Sequence, residues 1–477
     1  MMNSINIYNE ATKRKEPFVP SESSDYIKMY VCGPTVYDYF HAGNARCFVI
    51  FDFIRRVFEY AGYKVKYAQN FTDIEDKMIA RAIRENISLT ELADRFIEEY
   101  KTDAAGLGIT PADIYPRATE HIAEMIEMIE ILIEKGHAYK SEISADVYFS
   151  AKSFAKYGCL SGKNLEDLQQ GENILNSNSS EEKREPHDFV LWKSKKEGEP
   201  SWDSPWGDGR PGWHIECSAM ARKYLGDTID IHCGGKDLEF PHHENELAQS
   251  ECANGKPFTR YWLRNGFLNI DNEKMSKSEG NFFTVREIAE KYGYMPLRFF
   301  ILSSNYRMPL NFSEEVIKAA QNSLERIFLF SENLNFAIKN AQSNNEQPSL
   351  TELLQYRERF KEVLFDDFNS AAAVSILFEL IRDVNIKISD GKASLEYLEL
   401  ARELYDEFCG LFGFVPEKKE CASNNELSEE YILAQIKARA TAKANRDFKT
   451  ADEIRDSLKS QGVILEDTPS GVKWRRE

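Results

Sequence analysis

The chain has 477 residues, enough for more than one domain, and 42% are hydrophobic, enough for ordinary cores. Its formal net charge of −18 argues against nonspecific adhesion to nucleic acid or acidic membranes, although local basic clusters still act on phosphates within a Debye length of about 8 Å. No run of about 18 apolar residues predicts a membrane span. Residues 1–20 lack the apolar core of a secretory signal, and eight scattered cysteines fit a reduced, cytoplasmic setting better than a disulfide framework.

The first strand-like run, Tyr26 to Val31, leads to His41-Ala42-Gly43-Asn44. A helical stretch follows from Arg46 to Tyr60, with Ile50, Ile54, Val57 and Phe58 at helical spacing. Polar side chains and a glycine at a helix N-terminus favour bound phosphate, because the backbone N–H groups there lack partners. A second strand, Tyr63 to Gln69, and helices over Leu89 to Gly106 and Thr119 to Lys135 continue the alternation. Further strand-like runs are Asp146 to Phe149, Thr228 to Cys233 and Tyr261 to Ile270. This order predicts an α/β fold, a Rossmann-like doubly wound parallel core with phosphate bound at the carboxyl end of the first strand.

Residues 141–212 break the pattern with short strands, Trp192, Trp202, Trp206 and a polar stretch, Gly171 to Glu185. They read as an insertion dividing the core into halves at 1–140 and 213–311. In the second half, Lys274-Met275-Ser276-Lys277-Ser278 places two lysines on a Ser/Gly-rich stretch. Such clusters are ordinarily exposed charged turns; beside the His41 turn, this one suggests a nucleotide triphosphate held between a fixed cradle and a cationic loop. Thr284-Val285-Arg286-Glu287 is a capping-box pattern that would anchor the far side of that loop to a helix.

From Phe312 the chain turns almost wholly helical, predicting an α-helical bundle over 312–415 with an internal linker, Asn340 to Ser349. Pro416 to Ser428 reads as a linker before a small C-terminal domain, 429–477. There Arg439, Lys443 and Arg446 stand at i, i+4 and i+7, making one basic stripe, with Trp474 and Arg475 in the tail. A basic stripe near an aromatic suits single-stranded RNA; a solvated helix face has the same pattern.

Four of the eight histidines lie between residues 214 and 243. Pro241 suits the first position of a helix, on which His242 and Glu246 are four apart and share a face. His243 would point about 100° away. Spacing therefore prefers His242 with Glu246 as a ligand pair, which Cys217 and Cys32 could complete as a tetrahedral zinc site. Isolated cysteines are usually small buried hydrophobes, and a histidine and glutamate four apart on a helix are often just surface, so spacing alone favours the plainer reading over zinc.

The His41 and Lys274 motifs, in this order, resemble the HIGH and KMSKS signatures of class I aminoacyl-tRNA synthetases. Longer stretches resemble the cysteinyl-tRNA synthetase family: Tyr30 to Asp38, Asn70 to Lys77, Gly212 to Met220 and Phe240 to Glu246. The resemblance implies a zinc ion, one per chain, on Cys32, Cys217, His242 and Glu246. It implies that L-cysteine reacts with ATP and Mg²⁺ to give cysteinyl-adenylate, and that the aminoacyl group passes to the 3′-terminal adenosine of tRNA(Cys). His41, Gly43 and Asn44 would meet ATP, with Lys274 and Lys277 closing on its pyrophosphate. Gly33, Thr72 and Trp213 would enclose the amino acid, and His214 and His232 are either pocket groups or hydrogen-bonded structural histidines. Arg439, Lys443, Arg446, Asp467, Trp474 and Arg475 would meet tRNA through an anticodon-binding domain, and a monomer is expected. A ligase joining cysteine to an amino sugar by the same adenylate chemistry is the alternative, which the C-terminal tail argues against. Asn44 replaces the second histidine of the family signature, and Cys233 stands where glycine is expected.

Overall fold

The computed structural model describes residues 4–21, 24–163, 182–271, 273–274, 283–341, 350–416, 427–468 and 471–476. The chain folds into two compact units, the first formed by residues 1–321, 361–373 and 411–414 and the second by 322–360, 374–410 and 415–477.

The first unit is built on a four-stranded parallel sheet. Strand β1 (Ile27–Val31) is followed by helix α1 (Ala42–Tyr60), then β2 (Val65–Gln69), helix α2 (Trp213–Leu225), β3 (Ile229–Gly235), helix α3 (Glu244–Asn254) and β4 (Thr259–Asn265). Spatial order is β4-β3-β1-β2, so the chain moves outward in opposite directions from the β1/β3 pair. Val31 pairs with both Gln69 and Cys233, which aligns the carboxyl ends of three strands. A switch of this kind opens a crevice beyond the strand ends.

Helix α1 begins at Ala42, so the His41 motif forms its first turn instead of preceding it. His41 is the N-cap, and its Nδ1 accepts from the Asn44 N–H at 3.2 Å. The helix is buried on most sides, including Phe48, Phe51, Phe53 and Phe58, as expected of a central crossover helix. Tyr30, Cys32 and Ala68 of the strand side share an apolar cluster with Cys217, Met220 and Leu225 of α2. Strand alternation turns Cys233 to the opposite face from His232.

A four-stranded antiparallel sheet of Ala138–Lys140, Val147–Phe149, Phe189–Ser194 and Gly209–Pro211 lies between the two halves in sequence. Trp192 is fully buried in it and meets Trp206 edge-on. The capping box at Thr284 forms as expected, with the Glu287 carboxylate accepting from the Thr284 N–H at 2.8 Å. Residues 283–285 also pair with the His41 turn: the Ala42 N–H donates to the Phe283 carbonyl and the Val285 N–H to that of Phe40.

Helices Glu314–Lys339, Leu350–Phe365, Ser370–Ser389 and Leu395–Phe412 follow. In the second unit, helices Glu429–Ala444 and Phe448–Ser460 pack on a hairpin of Val463–Thr468 with Gly471–Arg476 through Ile432, Leu458 and Val463.

A buried ion cluster locks α1 in the first unit. Arg298 bonds Asp52 at 2.6 Å and the carbonyls of Phe412 and Leu107, and Arg56 bonds the same carboxylate at 2.9 Å. Burial alone would raise the Asp52 pKa, but Arg298 and Arg56 hold it below the usual carboxylate value. Removing one partner leaves buried charge uncompensated, so Asp52→Ala should cost about 3–5 kcal/mol in denaturant unfolding. The Asp52 pKa is lower folded than unfolded, so its contribution is present above the ordinary carboxylate range and is lost as pH falls through the folded value. Asp52→Asn should lack that acid-side loss; unfolding profiles identical to wild type would contradict the assignment.

Candidate metal and nucleotide site

Four strand and helix ends meet at the crevice. Cys32 follows β1, Cys217 lies in α2, and His242 and Glu246 flank the start of α3. Their ligand atoms all lie within 4.8 Å of one another, and all four residues are buried. Cys32 Sγ is 3.9 Å from Cys217 Sγ and 3.4 Å from Glu246 Oε1, and His242 Nε2 is 3.0 Å from that same oxygen. The donor set of two sulfurs, one imidazole and one carboxylate could hold a metal ion, and these are donor types that zinc accepts.

The expected i, i+4 pair is present, but its helix starts later than Pro241. Phe240 is extended at φ −142 and ψ 132, and Glu239–His243 form a wide turn before α3 begins at Glu244. The turn also brings in His243, whose Nε2 lies 3.6 Å from Cys32 Sγ. A second group, Cys32, His232, His243 and Glu246, is thus gathered within the same 4.8 Å. His243 thus reaches the cluster although it stands one position from His242 on helical backbone.

Electrostatics in the cluster are tightly coupled. Burial would raise the Glu246 pKa, yet His232 and His242 hold it well below the ordinary value. Burial disfavours charge on His242, but Glu246 and Cys217 push its pKa up to about 10. The Cys32 hydrogen bond brings the Cys217 thiol down to about 6, while burial keeps Cys32 well up.

The surrounding residues orient these groups. His232 Nε2 bonds Glu246 Oε2 at 2.7 Å, leaving Oε1 for the cluster. His232 is fully buried and supports Glu246 through this bond. His214 Nδ1 is 3.0 Å from His242 Nδ1, and Trp213 stacks on the His242 ring at 4.3 Å while remaining 40% exposed. The expected substrate groups Gly33 and Thr72 are engaged within the protein. The Gly33 N–H donates to Asn70 Oδ1 at 2.8 Å, and the Thr72 hydroxyl donates to Glu216 Oε2 at 2.9 Å. Glu216 and Asn70, both buried, were not singled out by sequence, although each lies inside a stretch that carried the resemblance. Cys233 is buried on the other sheet face and belongs to neither metal-competent group.

Half-buried Gly43 and Asn44 stand beside His41 in the first turn of α1. Lys274 lies in the short strand Glu273–Lys274, paired with Asn269. Lys277 and most of Gly171 to Glu185 fall outside the described residues, as does the side chain of Arg475.

In the C-terminal domain the basic stripe is shorter than expected. The helix ends at Ala444, and Arg446 has a left-handed φ of 62, which takes it off the helix face. Arg439 grips Asp467 at 2.7 and 2.9 Å, and Lys443 bonds it at 2.7 Å, so these three form one ion cluster. Arg439 foremost, then Lys443, holds the Asp467 carboxyl well below the usual range. Trp474 pairs across the hairpin with Leu465 and packs on the small apolar core.

Comparison with known proteins places the whole chain. The model of the tRNA synthetases class I (C) catalytic domain matches residues 18–322. That of the DALR domain matches 359–416, and that of the cysteinyl-tRNA ligase anticodon binding domain matches 426–475. A cysteine-tRNA ligase of Caldicellulosiruptor saccharolyticus is 52% identical over 474 residues, covering 99% of this chain and 100% of that protein. That of Symbiobacterium thermophilum is 52% identical over 476 residues, covering 99% of each chain. This chain belongs to the cysteine-tRNA ligase family. The fold agrees: methionyl-tRNA synthetase of Mycobacterium tuberculosis, in complex with methionyl-adenylate, superposes with a TM-score of 0.60 at 17% identity, over 82% of this chain and 90% of that one.

In this member of the family Gly33 has a steric role that a test can isolate. A Cβ there would lie 1.6 Å from the Asn70 carbonyl oxygen, so the ends of β1 and β2 would have to part. Gly33→Ala should cost about 1–3 kcal/mol in denaturant unfolding, and wild-type stability would show that the backbone has room.

Proposed function

We propose that this chain activates L-cysteine with ATP as cysteinyl-adenylate and transfers the cysteinyl group to the 3′-terminal adenosine of tRNA(Cys). The observation that carries the proposal is the buried sulfur-rich cluster at the carboxyl edge of the parallel sheet, in a chain about half identical to cysteine-tRNA ligases over its full length. The cluster fits one zinc ion on Cys32, Cys217, His242 and Glu246. A bound zinc supplies a soft Lewis acid for the substrate's sulfur, for which a serine hydroxyl is a poor substitute. Shape alone separates such near-isosteres by roughly 100-fold.

The chain's own residues supply position and charge. Trp213, stacked on His242 and still exposed, is placed to cover the amino acid. His41 and Asn44, at the α1 terminus, receive the α-phosphate region, and Gly43 leaves space for backbone to approach adenosine. The amino acid's carboxylate attacks the α-phosphorus in line and pyrophosphate leaves, so no protein nucleophile is needed. Catalysis then rests on orientation and on charge placed at the phosphates. Lys274 and Lys277 provide that charge, with Mg²⁺ accompanying ATP.

The reading includes a monomer in the cytoplasm, and among the described residues no helix is long and apolar enough to cross a membrane. Contacts to tRNA are assigned to the C-terminal domain, with Lys443, Arg446, Trp474 and Arg475 facing RNA and Arg439 bracing Asp467. The match of residues 426–475 to an anticodon-binding domain disfavours the amino-sugar ligase.

Purified protein should contain one zinc per chain by metal analysis, and Cys32→Ser should abolish cysteine-dependent ATP–pyrophosphate exchange. Metal-free protein with full exchange activity would overturn the metal assignment. Lys277→Ala should lower the exchange rate by about 100-fold or more; a near-normal rate would remove its role.

A further inference from the structure

We infer that Arg264 fixes the tautomer of His243 so that this histidine donates a hydrogen bond to the Cys32 sulfur, which makes Arg264 a positioning residue of the metal centre. The inference deepens the reading of Cys32 as a zinc ligand and rests on it.

Arg264 is the penultimate residue of β4 and has almost no exposed surface. Its Nη1 is held by Glu239 at 2.9 Å, and Glu239 is in turn paired with Lys13 and Lys236. Thus anchored, the guanidinium directs Nε at His243 Nδ1, 3.2 Å away. A guanidinium can only donate, so Nδ1 must accept and carries no proton. A neutral imidazole bare at Nδ1 carries its proton on Nε2, and Nε2 is the atom 3.6 Å from Cys32 Sγ.

Two consequences follow. His243 cannot lend Nε2 to a metal unless its proton moves to Nδ1, where it would face the Arg264 N–H. The second metal-competent group, with His232 and His243 in place of Cys217 and His242, is therefore disfavoured, and the donor set with two sulfurs remains. In addition, a hydrogen bond to a thiolate draws charge from the sulfur and tunes the metal it binds. A less basic Cys32 thiolate leaves the ion more electrophilic toward the incoming thiol. Gly234 leaves the space the ring occupies: a Cβ there would lie 2.8 Å from both Cε1 and Nε2 of His243.

The test measures metal, not turnover. Zinc affinity by chelator competition and the thiolate-to-cobalt charge-transfer band of the cobalt-substituted protein are compared in wild type, Arg264→Met, His243→Leu and His243→Gln. Arg264→Met and His243→Leu should each lose about 10- to 100-fold in zinc affinity and move the band to lower energy, as for a more basic thiolate. His243→Gln retains an N–H donor and should recover part of both, a rescue that loss of packing alone would not give. If Arg264→Met does not fold, the His243 pair decides. Wild-type affinity and band position in His243→Leu, or equal losses in the leucine and glutamine variants, would overturn the inference while leaving the zinc reading intact. A wild-type protein binding neither zinc nor cobalt stoichiometrically would overturn that reading first.

Discussion

Glu246 carries its negative charge with no access to water, and two imidazoles meet its two oxygens, His232 on Oε2 at 2.7 Å and His242 on Oε1 at 3.0 Å. A buried carboxylate persists only when such partners offset its lost hydration. The carboxylate therefore dictates much of what surrounds it. His232 must sit on the face of β3 that looks toward α2 and α3, and His242 must reach back from an irregular turn. Cys32 and Cys217 then complete a group that none of their elements could assemble alone.

The parallel sheet makes that assembly possible. Its central pair, β1 and β3, ends in register at Val31 and Cys233, so Cys32 emerges beside the last residues of β3. Helix α1 leaves the same edge, and the segment of residues 283–285 pins its first turn through the Ala42 and Val285 hydrogen bonds. One edge of one sheet thus offers a soft-donor cluster and a helix N-terminus. An amino acid chosen by its sulfur and a nucleotide held by its phosphates are the ligands this juxtaposition suits.

Much of this was legible in the sequence where local periodicity carried the message. The alternation of strand and helix, the capping box at Thr284 and the His242–Glu246 pair all depend on spacings of three or four residues. The residues that escaped notice act across the fold. His243 reaches the cluster through Cys32, 211 positions away in the chain, a contact that no helical wheel contains. Arg264 and Asn70 matter through partners 21 and 37 positions away. Arg446 illustrates the converse error, since a stripe drawn at i+7 continued past the real end of its helix. Asp467, expected to meet RNA directly, is occupied by Arg439 and Lys443, a pairing that becomes visible only when hairpin and helix are folded together.

In the function proposed here, selection of the amino acid turns on its sulfur reaching the metal. Zinc K-edge absorption fine structure of the zinc-loaded protein counts the sulfur neighbours directly. Two are expected without substrate, from Cys32 and Cys217, three with L-cysteine bound and two again with L-serine. A count that stays at two when cysteine saturates the site would contradict direct recognition of the thiol by zinc.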